Sequence, residues 1–292
     1  MSISRDIAAV CRMVKIEHSV FALPFAFAGA FMAAGGAPSW RVLLPLTLAM
    51  VAVRSFAMGY NRLKDLDLDR LNPRTNNRPL ITGELSVEFT KRFLFVCAIV
   101  FTTACALMNQ TCLLLSPVAL VWSAFYSHTK RFTRFCHFFL GSVLGLAPLA
   151  GWLAVQPRHL GYPAVLLFFA VTLWVAGFDI LYACQDVDFD REQGLHSLPA
   201  VEGVPRALMT SSFIHACAAL LFPMAGWLAG LGLIYLGVSV VVGGILVWEH
   251  RLISAEDLSR VNVAFFTLNG VISVGLFLGV WIDLALGPYR LS

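Results

Sequence analysis

Three oxygen-bearing side chains, those of Asn61, Asp65 and Asp69, recur at every fourth position of the sequence. Residues at this spacing lie on one face of a helix, so they form a single stripe. Adjacent carboxylates repel each other unless a cation lies between them. Because Mg²⁺ takes a few carboxylate oxygens and keeps its other positions for water and substrate phosphate, the stripe predicts a magnesium site.

A second stripe follows later in the chain. Its members share one helix face at i, i+3, i+7 and i+11, and they are Asp179, Tyr182, Asp186 and Asp190. Either stripe alone is equally typical of a solvated helix end. Both stand at the end of a long apolar segment, where ionisable groups are costly and usually functional. Two facing stripes of this kind are predicted to hold two or more Mg²⁺ ions and, through them, a diphosphate.

Cationic side chains that suit a diphosphate occur in two further motifs. The first motif contains Arg74 and Arg78 and is predicted to be a structured loop, because it contains prolines. The second contains Tyr126 and Lys130, which are one helical turn apart. Guanidinium and ammonium groups beside carboxylate-held magnesium neutralise the charge of a diphosphate. Taken singly, each of these cations is explained more simply as a charge that sets membrane topology.

Arg54 lies seven residues before Asn61 and shares its helix face about two turns deeper. A buried arginine needs a carboxylate partner. Two partners are compatible with the sequence, namely Asp179 and a carboxylate on the substrate. A purely structural ion pair therefore remains an alternative to substrate binding at this position.

The elements that must position these groups are long apolar segments. The 292 residues are 59% hydrophobic and 13% charged, with a mean hydropathy of +0.77, whereas soluble domains carry about 25% charged residues. A membrane span takes about 20 apolar residues. The sequence therefore predicts an all-α polytopic membrane protein, a single domain over residues 1–292 with about nine transmembrane helices. The predicted spans are 18–36, 41–59, 93–109, 111–127, 136–155, 161–183, 207–228, 231–248 and 262–286.

The distribution of charge predicts the orientation in the lipid bilayer. Of the 21 Lys and Arg residues, 17 fall on the side that holds the N-terminus and the 60–92 loop, together with nearly all acidic residues. Cytoplasmic loops carry such a cationic excess, so we expect this rim to be cytoplasmic. The seven dispersed cysteines and the lack of an HExxH pattern argue against a disulfide framework or a zinc site.

In this order and spacing the motifs resemble those of the UbiA superfamily of intramembrane prenyltransferases. The superfamily has an NxxxDxxxD motif, an RTxxRPL loop, a YxxxK motif and a second aspartate motif. The matching residues are Asn61, Asp65 and Asp69, then Arg74, Thr75 and Arg78, then Tyr126 and Lys130, then Asp186 and Asp190 with Asp179 and Tyr182 before them. Arg62 and the additional Asp67 depart from the first motif.

The resemblance implies a nine-helix bundle around a central cavity, capped by cytoplasmic loops that carry the aspartates. It also implies Mg²⁺-dependent transfer of a polyprenyl group from its diphosphate to an aromatic acid in a bacterial inner membrane. The sequence is most similar to bacterial enzymes that prenylate 4-hydroxybenzoate. Similar sequences prenylate 1,4-dihydroxy-6-naphthoate in menaquinone biosynthesis, and the motifs do not choose between the two acceptors.

The predicted roles combine this resemblance with the charge pattern. The predicted metal ligands are Asn61, Asp65, Asp69, Asp186 and Asp190, and the same four aspartates with Asp179 are the predicted catalytic residues. Substrate binding is assigned to Arg54, Arg74, Arg78, Tyr126, Lys130 and Tyr182. In this scheme Arg54 holds the acceptor carboxylate and Asp179 engages the acceptor hydroxyl.

Two other classes of membrane protein share some of these features. A secondary transporter also uses intramembrane acids, but it does not need acids, arginines and a lysine together at one rim. A CDP-alcohol phosphotransferase uses membrane-embedded aspartates with Mg²⁺, and its DGxxAR core is absent from this sequence. We expect no nucleic-acid partner, because the basic residues form no dense run, and no obligate protein partner.

Overall fold

The structure, a computed structural model, describes residues 3–15, 19–255, 257–258, 261 and 267–287. Over these residues its regular secondary structure is entirely helical, without a β-strand. An N-terminal helix, α1 (Ile3–Val14), precedes the bundle. The long helices are α2 (Ser19–Ala34), α3 (Trp40–Lys64), α5 (Val87–Met108), α6 (Gln110–Thr129), α7 (Cys136–Val155), α8 (Tyr162–Ala183), α11 (Val204–Leu228), α12 (Leu233–Leu252) and α13 (Asn269–Leu286). The short helices are α4 (Leu66–Leu71), α9 (Val187–Glu192) and α10 (Leu198–Glu202).

The long helices correspond one to one to the predicted spans. Eight of them are long and apolar enough to cross a membrane, namely α3, α5, α6, α7, α8, α11, α12 and α13. The candidate span at α8 is Tyr162–Glu192, which also includes α9. The ninth, α2, contributes the shorter apolar stretch Phe21–Ala34. The all-α, polytopic fold class is confirmed. Within the last predicted span, residues 262–266 lie outside the described residues, and the single-domain assignment stays a prediction.

Apolar side chains cover much of the outer surface of the bundle. Phe95, Leu114, Val121, Phe213 and Trp227 are all strongly exposed. Contiguous exposed apolar surface of this kind marks contact with a membrane or a partner. Because these residues lie on helices of spanning length, the exposed face is the one that meets lipid.

Three helices, α2, α7 and α8, form the centre of the bundle. The helix α7 packs against both α2 and α8, and α8 packs in turn against α11. Glycines make these contacts close: a Cβ on Gly151 would meet the backbone oxygen of Ala26, and one on Gly141 would meet that of Thr172. Small residues let membrane helices approach at backbone distance. This packing fixes where α7 and α8 present their polar ends.

The glycine contacts yield a prediction about stability. Gly151→Ala places a methyl group against the α2 backbone, and overpacking of this kind costs about 1–3 kcal/mol. The control, Gly244→Ala in α12, adds the same group where nothing lies within 4 Å. We expect thermal unfolding of the detergent-solubilised protein to show a lower Tm for Gly151→Ala than for the wild type. Gly244→Ala should show no decrease in Tm. Equal midpoints for the two variants would contradict the close contact.

Candidate active site

A cavity of about 290 Å³ opens at the end of the bundle where the two acidic stripes lie. Every side chain to which the sequence assigned a role lines this one cavity. They are Arg54, Asn61, Asp65, Asp69, Arg74, Arg78, Tyr126, Lys130, Asp179, Tyr182, Asp186 and Asp190. Residues separated by as many as 136 positions in the sequence are thus brought together. Their individual roles stay predictions.

The first stripe spans a break between two helices, which the sequence did not predict. The helix α3 ends at Lys64, and Asp65 occupies the turn before α4. The backbone N–H of Asp65 still donates to Asn61 O at 2.9 Å, and that of Asp69 donates to Asp65 O at 2.7 Å. Because the i to i+4 ladder continues through the break, the three side chains keep to one side.

The carboxylate of Asp65 is the most heavily bonded group of the first stripe. Its side chain is only 4% exposed. Lys130 Nζ donates to Oδ2 at 2.6 Å, Arg131 Nη2 donates to Oδ1 at 2.8 Å, and Asn61 Nδ2 donates to Oδ2 at 3.1 Å. Two cations therefore share one buried carboxylate, and Arg131 was not among the predicted site residues.

The loop after α4 joins the first stripe to the second. Arg78 pairs with Asp69 of the first stripe, on the same side of the cavity as the loop. Arg74 reaches across to Asp186, with Nε 2.9 Å from Oδ1 and Nη2 on Oδ2, and its Nη1 donates to Tyr182 OH at 2.8 Å. Although partial burial lowers the pKa of Arg74, its hydrogen bond and attraction to Asp186 outweigh this effect and raise it. The guanidinium stays charged.

The backbone of this loop is held by its own polar groups, as the prolines predict. Asn72 Oδ1 accepts the backbone N–H of Arg74 at 2.9 Å, and Asn72 Nδ2 donates to Asp186 Oδ1 at 3.1 Å. Thr75 Oγ1 donates to the backbone oxygen of Asp69 at 3.1 Å. Asx turns of this kind fix a loop without regular structure. They aim Arg74 at the facing stripe.

The second stripe also crosses a change of helix. A 3₁₀ turn, Cys184–Asp186, separates α8 from α9. Asp179 lies before this turn and bonds through Oδ2 to His137 Nδ1 at 2.6 Å. Asp190 lies beyond it in α9 and accepts a hydrogen bond from Ser197 Oγ.

Several side chains at the cavity were missed from the sequence. His137 and Ser197 bond to stripe carboxylates, and Arg62 is buried and donates from Nη1 to Asn61 Oδ1 at 3.3 Å. Arg131 and Arg62 read as ordinary topology charges, and a single histidine within an apolar run carries no spacing signal. Contacts between helices distinguish Arg131 and His137, and burial distinguishes Arg62.

The donor set fits magnesium that is shared with a phosphate. Among the described residues no three His, Cys, Asp or Glu side chains converge into a ready-made metal cage. The facing groups are carboxylate and amide oxygens, which are the ligands of Mg²⁺, and Mg²⁺ is usually bound by one or two carboxylates plus substrate phosphates. The cations beside the acids match a ligand that is itself anionic.

A smaller, apolar cavity of about 100 Å³ adjoins the charged one. Both are lined by Arg54, Met58, Tyr126, Leu140 and Leu144. The rest of its lining is nearly all apolar and comes from α2, α3, α5, α6 and α7. Fold and cavity together define a polytopic helical membrane protein with a charged site that continues into an apolar one.

Comparison with known proteins assigns the family. The UbiA prenyltransferase family matches residues 22–271. The 4-hydroxybenzoate octaprenyltransferase of Shewanella woodyi is 31% identical over 254 residues, covering 86% of this chain and 87% of its own. That of Shewanella baltica is 30% identical, covering 97% and 99%. The chain belongs to the UbiA prenyltransferase family and is an enzyme of the aromatic prenyltransferase type.

Solved structures agree with this assignment. A UbiA homologue from Aeropyrum pernix has a TM-score of 0.83 and 34% identity, covering 92% of this chain and 98% of its own. A UbiA homologue from Archaeoglobus fulgidus, solved bound to GPP and Mg²⁺, has a TM-score of 0.71 and 20% identity, covering 95% and 99%. At that identity the second likeness shows a shared fold.

The environment of Asp65 predicts an unequal response to two neighbouring substitutions. Asp65→Asn leaves Lys130 and Arg131 without their counter-charge. Because these cations are 31% and 29% exposed, we expect a loss of about 2–3 kcal/mol, below the 3–5 kcal/mol of a fully buried pair. Asp67→Asn removes the same charge from a side chain that is 95% exposed, and we expect about 0.5 kcal/mol or less. Thermal unfolding of the two variants measures the difference, and equal Tm values would refute it.

Proposed function

We propose that this enzyme transfers a polyprenyl group from a polyprenyl diphosphate to an aromatic acid of the 4-hydroxybenzoate type, with Mg²⁺, in quinone biosynthesis. The observation that carries the proposal is one cavity in which carboxylates of two acidic stripes are paired with arginines and a lysine beside an apolar space. The names of the relatives favour 4-hydroxybenzoate as acceptor. The alternative acceptor is 1,4-dihydroxy-6-naphthoate, which is also an aromatic acid.

The stripes and their cations are the proposed diphosphate site. Asn61, Asp65, Asp69, Asp186 and Asp190 would hold Mg²⁺. When bound, this metal neutralises charge on the leaving diphosphate as a Lewis acid. Arg74, Arg78 and Lys130 contribute charge-assisted hydrogen bonds to the phosphate oxygens. Tyr126 and Tyr182 line the same cavity, and we assign them to orienting Lys130 and Arg74.

The reaction replaces the allylic C–O bond with a C–C bond and releases a proton from the ring. The allylic C–O bond breaks, and its electron pair leaves with the diphosphate. A ring carbon of the acceptor forms the new C–C bond, and the proton lost from that carbon restores aromaticity and passes to water or phosphate. Charge grows on the diphosphate as the C–O bond breaks, so preorganised cations such as Arg74 and Lys130 stabilise the transition state more than the ground state.

The acceptor is proposed to bind deeper in the cavity than the diphosphate. Arg54 lies two helical turns below Asn61 on α3 and lines both cavities. Its guanidinium suits the acceptor carboxylate, while Asp179 is placed to engage the hydroxyl. The apolar cavity takes the first part of the prenyl chain, and the remainder passes into lipid because a cavity of about 100 Å³ is too small for a long chain.

The proposed location is a bacterial inner membrane with the active-site rim in the cytoplasm. The excess of Lys and Arg on this rim supports the orientation. Cytoplasmic access also suits the chemistry, since both the aromatic acid and the diphosphate head are water-soluble anions.

The first test is product analysis. Membranes containing the protein receive Mg²⁺, a polyprenyl diphosphate, and 4-hydroxybenzoate and 1,4-dihydroxy-6-naphthoate in competition. We expect mass spectrometry to detect prenylated 4-hydroxybenzoate with equimolar diphosphate release, and chelation of Mg²⁺ to stop both. Asp65→Ala and Asp186→Ala are expected to lower kcat by at least about a hundredfold, as loss of a transition-state charge contact does, whereas Asp67→Asn retains activity. Full activity in either Ala variant would remove the metal assignment.

The second test concerns Arg54. A lost charge-assisted contact costs about 1.5–3 kcal/mol, so Arg54→Met is expected to raise the acceptor KM about tenfold or more. The KM for the polyprenyl diphosphate should stay as in the wild type, and the variant should no longer prefer 4-hydroxybenzoate over its methyl ester. Arg41→Met, an exposed arginine of the same helix, is the matched control. An unchanged acceptor KM for Arg54→Met would refute the carboxylate-binding role.

A further inference from the structure

A buried histidine, His137, lies in the first turn of α7 and lines the charged cavity. Its side chain is 3% exposed, and its Nδ1 lies 2.6 Å from Asp179 Oδ2. Its Nε2 receives the backbone N–H of Leu198 at 3.1 Å. Because a backbone N–H only donates, Nε2 carries the lone pair and the ring proton is on Nδ1. In this arrangement the Nδ1–H of His137 donates to Asp179, and Nε2 accepts from Leu198.

The same histidine anchors the segment 195–198, which is bonded to the diphosphate end of the cavity. The backbone N–H of Leu195 donates to Asp190 O at 2.8 Å, and Ser197 Oγ donates to the carboxylate of Asp190. The backbone N–H of His196 donates to Lys130 O at 2.7 Å. With Leu198 on His137, this segment connects Asp190 and Lys130 to the residue that bonds Asp179.

Burial alone does not distinguish His137, because His215 is buried as well. His215 donates from Nε2 to Trp174 O at 3.0 Å, and its ring lies against Gly177. Gly177 and Asp179 are two residues apart on α8 and face opposite sides of the helix. His215 is absent from the lining of the charged cavity. It therefore offers a matched comparison: a buried histidine against the same helix, outside the site.

We propose that His137 is a positioning residue that fixes the Asp179 carboxylate for the aromatic acceptor. The proposal rests on the function proposed above. With Oδ2 held by His137, the rotation of the carboxylate is set, and Oδ1 accepts the hydrogen bond of the acceptor hydroxyl. That bond increases electron density in the ring, which is the nucleophile. A site residue needs such a fixed rotamer, because small misplacements of a reacting group cost rate.

Three substitutions separate positioning from packing. His137→Asn keeps an amide N–H near the position of Nδ1 and loses the acceptor for Leu198. His137→Gln reaches the position of Nε2 and leaves Asp179 without its donor. His137→Phe keeps the ring and loses both bonds. Each variant is assayed in membranes for kcat and for the separate KM values of 4-hydroxybenzoate and a polyprenyl diphosphate, with Tm measured alongside.

For His137→Phe we expect kcat/KM for the acceptor to fall about a hundredfold, the cost of misplacing a reacting group by roughly 1 Å. The KM for the polyprenyl diphosphate should stay unchanged in His137→Gln, which keeps an acceptor for the backbone N–H of Leu198 and so the anchor of the segment 195–198. His137→Asn should recover much of the loss, and His137→Gln should not. The control, His215→Asn, should lower Tm without changing the acceptor KM.

Two results would overturn the proposal. One is an acceptor kcat/KM in His137→Asn no better than in His137→Gln, a comparison that stands even if the Phe variant does not fold. The other is a parallel loss for both substrates that follows Tm, since this marks packing alone. If wild-type membranes form no prenylated acceptor, the proposed function fails instead, so the two failures are distinguishable.

Discussion

The need to neutralise charge at the edge of a membrane governs the architecture of this site. Asp65, Asp69 and Asp186 each pair with a cation, and their side chains are between 4% and 15% exposed. A carboxylate at such a depth is costly unless it is paired and hydrogen-bonded. Lys130, at the end of α6, pairs with Asp65 at the break between α3 and α4. In the 72–80 loop, Arg78 pairs with Asp69 of the first stripe and Arg74 pairs with Asp186 of the second. The ion pairs thus hold the two halves of the cavity together.

These ion pairs can form only because the helices below them are rigid and closely packed. The glycine contacts of α7 with α2 and α8 leave little freedom for these helices to slide or separate. As a result α7 presents His137 and α8 presents Asp179 at a set distance, while the broken ends of α3 and α8 carry the acidic stripes. Helix packing stabilises the deeper part of the site, and ion pairs stabilise its rim.

The sequence predicted the fold well because lipid imposes a simple rule. Spans of about 20 apolar residues must be helical, and the nine predicted spans correspond to helices. The i to i+4 spacing also identified both stripes. Periodicity could not show the helix breaks at Asp65 and at Cys184–Asp186, because the spacing of the acidic residues continues through both. Nor could it separate Arg131 from an ordinary topology charge, or His137 from a core histidine, since both depend on contacts between elements far apart in sequence.

The pairing of acids with bases also bears on which ligand can enter. A neutral or singly charged ligand would have to displace ion pairs and leave buried charges uncompensated, at a cost of several kcal/mol for each. A diphosphate that arrives with a divalent cation offers a negative group to Arg74, Arg78 and Lys130 and a positive one to the carboxylates that they release. No charge is then left alone. Under the proposed function, the charge pattern that keeps the site stable before binding thus selects the diphosphate as substrate, while the apolar cavity beside it selects the prenyl chain.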